Sequence, residues 1–153
     1  MEIGSTAFEN GGYIPAKYTC DSSDVSPSLF WKDMPSGTKS FALICDDPDA
    51  PYKAWVHWVV LNIPGQNEGL QEDIEKEKIL ADGTVQGTND FGKVGYNGPC
   101  PPAGKPHRYF FKLYALNTVL TFTPDADITK ETVIEAMQGH ILAEAKVIGL
   151  YER

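Results

Sequence analysis

The chain has 153 residues, 42% of them hydrophobic and 11% aromatic, which fits one globular domain spanning 1–153 and is too short for two comfortable ones. Its net charge is −8, from 13 basic and 21 acidic residues, and this argues against a nucleic-acid groove or an electrostatic membrane dock, both of which need clustered Lys and Arg. Eleven prolines and fourteen glycines imply frequent chain reversals and favour short strands over long helices.

Residues 1–10 have no basic start and no apolar run, and no stretch approaches the length of a spanning helix, so a cytoplasmic protein without a transmembrane segment is expected. Cys20, Cys45 and Cys100 are an odd set without C-x-x-C spacing. Reduced thiols are the plain expectation. A Cys20–Cys100 bridge is the lesser alternative, open because both sit in loop-like segments.

In chain order, residues 41–45 (FALIC) form a short apolar run between Pro35-Ser36-Gly37 and Asp46-Asp47-Pro48, and read as a buried strand. Residues 56–63 (VHWVVLNI) are β-branched and aromatic, and Pro64-Gly65 ends them. Residues 108–116 (RYFFKLYAL) read as a further core strand and 146–151 as another. Residues 129–145 differ: Val133, Met137 and Ile141 recur every four residues, with Ile134 widening the stripe, and predict a helix. Asp127 or Thr129 can cap its start, Glu131 suits the N-terminal dipole, and Thr132 makes no capping box. Gly139 costs about 1 kcal/mol inside a helix and makes a break there credible. The pattern predicts a mainly β protein, an antiparallel β-sandwich with one late helix on its side.

Three segments carry residue types capable of chemistry. Residues 45–51 place three carboxylates and two prolines directly after a strand, and an ordinary Asx-type turn explains such a cluster equally well. His57 lies in an apolar strand, where alternation puts it on one face with Trp55 and Val59 and turns Trp58 the other way; a hydrogen-bonded core histidine is the plain alternative. Residues 95–109 form a Pro- and Gly-rich loop entering a strand with His107 and Tyr109 on one face and Arg108 on the other. A stiff loop of this kind can present backbone amides to an anion.

These segments resemble the phosphatidylethanolamine-binding family. The resemblance rests on Asp47-Pro48-Asp49-Ala50-Pro51, on Trp55-x-His57, and on Gly98-Pro99-Cys100-Pro101-Pro102 running on to His107-Arg108-Tyr109. Upstream, Ser26-Pro27-Ser28-Leu29-Phe30-Trp31 is similar to the family's S-P-x-L-x-W element. The short length and the 18–21 start resemble the bacterial and archaeal, Raf-kinase-inhibitor-like branch. The resemblance implies a two-sheet antiparallel sandwich. It also implies a pocket with Asp47, His57, His107 and Tyr109 inside, Tyr52 and Trp55 at the mouth, and Pro101 and Pro102 along the wall. The implied ligand is a small anion, phosphate or a phospholipid head group, with a kinase or serine protease as an inhibited partner in some members.

The pocket is chemically coherent as a donor set of imidazole N–H groups, the Tyr109 hydroxyl and the amides of 98–104, with Asp47 fixing a histidine tautomer or meeting an ethanolamine ammonium. No cofactor or metal is expected, because amide donors do not suit a cation. The competing class is a small hydrolase or lyase using an Asp/His pair with Ser26 or Cys100 as nucleophile, although no nucleophile motif supports it. His140 reads as a surface histidine.

Overall fold

In the computed structural model, which describes residues 1–153, the run at 41–45 belongs to a longer buried strand β3, Ser40–Asp47. Strands β1 (Glu2–Gly4), β2 (Leu29–Lys32) and β5 (Gly69–Leu70) form a three-stranded sheet in the order β1-β2-β5. The five-stranded sheet has the order β6-β4-β3-β7-β8, with β4 at Trp55–Pro64, β6 at Val85–Gln86, β7 at His107–Leu116 and β8 at Ile141–Tyr151. All pairings between these strands are antiparallel, and the architecture is the expected sandwich of two sheets with a single α-helix. No helix is long and apolar enough to cross a membrane.

β3 is buried along its whole length because both faces of the large sheet are covered. Its odd-numbered residues Phe41, Leu43 and Cys45 join Trp58, Val60, Phe111 and Leu113 in the core beneath the small sheet. Its even-numbered Ala42 and Ile44 join Val56, Val59, Leu61, Val133 and Met137 under helix α1, Lys130–Met137. The helix is also pinned by charge. Lys130 and Lys112 donate to Asp46 Oδ2 at 2.8 and 3.1 Å, which lets a buried carboxylate sit on the helix side of β3.

Two expectations for the late segment are corrected. The helix ends at Met137 and not at Ala145, because Gly139 turns the chain at φ +82° and Ile141–Ala145 pair with Leu116–Leu113 as the start of β8. A four-residue apolar spacing suits a strand face as well as a helix stripe, and ladder hydrogen bonds along β7 decide between them. The helix start does carry a capping box. The Thr129 hydroxyl accepts from the Thr132 amide, and the Thr132 hydroxyl accepts from the Thr129 amide at 2.9 Å, so a threonine does what Glu or Gln does in the usual form.

The cysteine expectation is corrected too. Cys20 and Cys100 form a disulfide across 80 residues of sequence, with Cα atoms 5.4 Å apart, while Cys45 is buried and free. The odd count arises because the third cysteine is a core residue of β3. Its burial pushes the thiol well above its ordinary range.

Candidate anion-binding cavity

Because β3 runs antiparallel to both β4 and β7, the end of the first meets the beginnings of the other two. Asp47 closes β3, Trp55 and His57 open β4, and His107 and Tyr109 open β7, so these side chains converge at one end of the large sheet. They line a cavity of about 310 Å³. Tyr52, Pro101 and Pro102 complete the eight residues expected there, and all eight line it.

A β-bulge makes the convergence possible. Trp58 pairs with Cys45 and Val56 with Asp46, which leaves His57 as an extra residue between them. Strict alternation would separate His57 from Trp58. The extra residue instead lets Trp58 pack on Tyr96 in the core (5.4 Å between ring centroids) while His57 meets Tyr109 edge-on at 5.2 Å. The expected grouping of His57 with Val59 is therefore corrected: Val59 lies under the helix.

Both imidazoles are held by their Nδ1 atoms. His57 Nδ1–H donates to the Asn97 carbonyl at 2.6 Å, and His107 Nδ1–H donates to Asp47 Oδ2 at 2.6 Å. The second Asp47 oxygen accepts from the Asp49 amide at 2.8 Å, so this buried carboxylate has a partner on each oxygen. Nε2 of each ring is left without a hydrogen-bond partner in the chain. His57 is buried, which lowers its pKa below the usual histidine value and keeps the ring neutral at pH 7, with a lone pair on Nε2. The simple expectation of two imidazole N–H donors is thus revised: a neutral His57 accepts at Nε2. Burial, reinforced by the Asp47 charge, raises the Tyr109 pKa and preserves its hydroxyl as a donor.

The surrounding loops are fastened by Asn89 and Asp24, which the sequence did not single out, and by Gly98, Asp49 and Arg108 of the motifs. Asn89 donates to Gly95 O and Asn97 Oδ1, and its own oxygen accepts from the Phe91 and Lys93 amides. That turn lays Phe91 against Trp55 and His57, at 5.6 and 5.5 Å between centroids, as a cavity wall. Asp24 accepts from the Gly98 amide at 2.8 Å, and Arg108 grips Asp49 through both Nε and Nη2 at 2.9 Å. Gly98 is required by space, since a Cβ there would lie 2.0 Å from the Tyr18 carbonyl oxygen. Of the amides expected to face an anion, those of Gly98 and Gly104 are already spent, on Asp24 and on the Arg153 carbonyl. The Cys100 amide has no partner within the chain. Tyr52 is fully exposed at the mouth, at φ +73°, a backbone conformation uncommon for a bulky residue.

Asp47, His57 and His107 do not form a group able to hold a metal ion together. No serine, threonine or cysteine hydrogen-bonds His57 or His107: Ser26 Oγ accepts from the Ile74 amide, and the Cys100 sulfur is committed to its disulfide. His140 lies away from the cavity and is exposed, hydrogen-bonded to Asn117.

Comparison with family models matches residues 4–152 to the phosphatidylethanolamine-binding protein family. The chain belongs to the phosphatidylethanolamine-binding protein family. Among its family relatives, a UPF0098 protein of Methanothermobacter thermautotrophicus is 56% identical over 153 residues, covering 100% of this chain and 99% of the relative. A second UPF0098 protein, from Aquifex aeolicus, is 51% identical and is covered over 89% of its length. Two crystal structures of family members superpose closely. Escherichia coli YbcL, described as a member of the mammalian family, gives a TM-score of 0.90 at 37% identity, with 99% of this chain and 98% of that chain covered. A phosphatidylethanolamine-binding protein homologue from Chlamydia trachomatis gives 0.89 at 40% identity, covering 99% and 97%.

Proposed function

We propose that the chain acts as one binding unit whose cavity takes a phosphate-type anion, free or as a phospholipid head group, and that it binds this ligand without turning it over. The observation that carries the reading is the Asp47–His107 pair, which leaves His107 Nε2 as a free polar atom of a half-buried ring in a cavity lined largely by aromatic side chains and prolines. A proton on that nitrogen donates to the anion while Asp47 balances the charge behind it. The Tyr109 hydroxyl and the unpartnered Cys100 amide are further donors. His57 Nε2 accepts, which suits a phosphate oxygen that still carries hydrogen, or an ethanolamine ammonium. A hydrolase or lyase would need a nucleophile in reach of a histidine, and the hydroxyl and thiol candidates are engaged elsewhere.

Calorimetric titration with inorganic phosphate, phosphoethanolamine and sulfate tests this. Phosphate and phosphoethanolamine should bind the wild type, sulfate more weakly because it carries no hydrogen at neutral pH, and His107→Gln should lose at least about tenfold in affinity, the loss of one charge-assisted hydrogen bond. Absence of binding, or affinity unchanged in His107→Gln, would overturn the assignment.

A further inference from the structure

The Cys20–Cys100 disulfide lies where its chemistry meets the cavity. Cys100 lines the cavity wall, and both half-cystines are exposed to solvent. Around them the chain is held by contacts that do not involve sulfur. The Cys20 amide donates to Pro99 O at 3.1 Å, Gly98 N to Asp24 at 2.8 Å, and the Tyr96 hydroxyl to Tyr18 O at 2.7 Å. Opening the S–S bond therefore leaves the two sulfurs facing each other on anchored segments, in position to close again. The Arg153 guanidinium stands 3.8 Å from the Cys100 sulfur and also donates to Pro101 O, with Asp21 holding it from behind at 3.0 Å. A cation there favours Cys100 as the sulfur that leaves as thiolate.

The geometry points to a thiol-exchange site in the Cys20–Cys100 pair that sets the anion affinity of the neighbouring cavity. This inference rests on the anion reading given above. The co-reactant is a dithiol reductant. Its first thiolate attacks Cys20 Sγ, the S–S bond breaks, and the electron pair leaves on Cys100 Sγ. Its second thiol loses a proton, attacks the mixed disulfide and expels Cys20 as a thiolate, which takes up that proton. The protein gains two electrons and the dithiol becomes a disulfide. A wall that was neutral now carries a negative charge, facing Asp47, His57 and His107 across the cavity and Arg153 beside it. Anions then bind about tenfold more weakly, the effect of one like charge across a partly solvated space of several ångströms. Reoxidation restores the affinity.

The test uses the full chain at about pH 9.5, where an ordinary thiol is about nine-tenths ionised. Graded dithiothreitol is followed by iodoacetamide labelling and intact mass, and each redox state is titrated with phosphate. Buried Cys45 reports unfolding, because it is labelled only when the core opens. Cys20 and Cys100 should be labelled together with Cys45 protected, and the reduced protein should bind phosphate about fivefold more weakly, the tenfold effect of the thiolate averaged over its ionised share, as should Cys20→Ser in either redox condition. Capping the reduced thiols as neutral methyl disulfides should restore the affinity. Equal affinity in both states, or a loss that capping does not reverse, would overturn the control of affinity by charge. A bridge that opens only when Cys45 is also labelled would overturn the exchange site. An oxidised protein that binds no phosphate overturns the anion reading instead, and the labelling alone then decides the exchange site.

Discussion

Gly98→Ala puts a methyl group where the fold has no room. Its Cβ would lie 2.0 Å from Tyr18 O and 2.9 Å from both Asp24 Oδ1 and the Tyr96 hydroxyl. Carbon and carbonyl oxygen approach comfortably at about 3.3 Å, so the 98–102 loop must retreat by more than about 1 Å from the 18–24 segment. That movement breaks the Gly98–Asp24 hydrogen bond, which is charge-assisted, and the neutral Cys20–Pro99 bond; it also strains the Tyr96–Tyr18 bond. At about 1.5–3 kcal/mol for the first and about 1 kcal/mol for each of the two neutral bonds, the expected loss is about 3.5–5 kcal/mol. In a chain of this size that lowers the melting temperature by about 7–20 °C. Urea and thermal denaturation of the oxidised protein measure both quantities. A loss under about 1 kcal/mol would mean that the loop relaxes freely, and the argument that Gly98 fixes the cavity wall would fail.

Two further outcomes follow from the packing. Burial lowers the His57 pKa below its unfolded value of about 6.5, so the neutral ring's contribution to stability is full above that value. It declines as pH falls below it and is gone once the folded-state pKa is passed, with a slope of at most about 1.4 kcal/mol per pH unit. Urea denaturation of wild type and His57→Gln across this range should converge toward acid, and parallel curves would show that His57 is not the titrating group. Thr129→Ala removes half of the capping box and should cost about 1 kcal/mol. Unchanged denaturant midpoints would assign the helix start to the Lys130–Asp46 pair instead.

The central strands were legible because apolar runs such as 41–45 and 56–63 end in turn-forming residues, and burial on both faces leaves no other use for them. The eight cavity residues were legible through motif resemblance, since antiparallel order brings strand ends together that lie far apart in sequence. Other features had weak local signals. Glu2–Gly4 and Gly69–Leu70 are too short for a periodicity and become strands only by pairing with β2. The disulfide was hidden because Cys45, a packing residue, made the count odd. Asp24 acts through the distant Gly98 amide, Asn89 by tying its own loop together, and Asn97 through the carbonyl that holds His57, and residue type alone does not reveal that. Phe91 had a faint signal, an Asn89-Asp90-Phe91-Gly92 turn in which Gly92 takes φ +74° and Asn89 closes the reversal. The bulge at His57 left no trace in composition, because counting by twos assumes that no residue is extra.

The residue inserted at His57 divides the front of β4 into two stretches that keep different time. Beyond it, Trp58 and Val60 answer to the interior; Trp55 before it and His57 itself answer to the ligand end. Substitutions that repack the interior half can leave the other half's orientation alone, so the protein can drift in its core while its cavity holds still. Removing the extra residue between Val56 and Trp58, which is His57 itself, would merge the two stretches into one rhythm and take a cavity histidine with it, even if every strand survived.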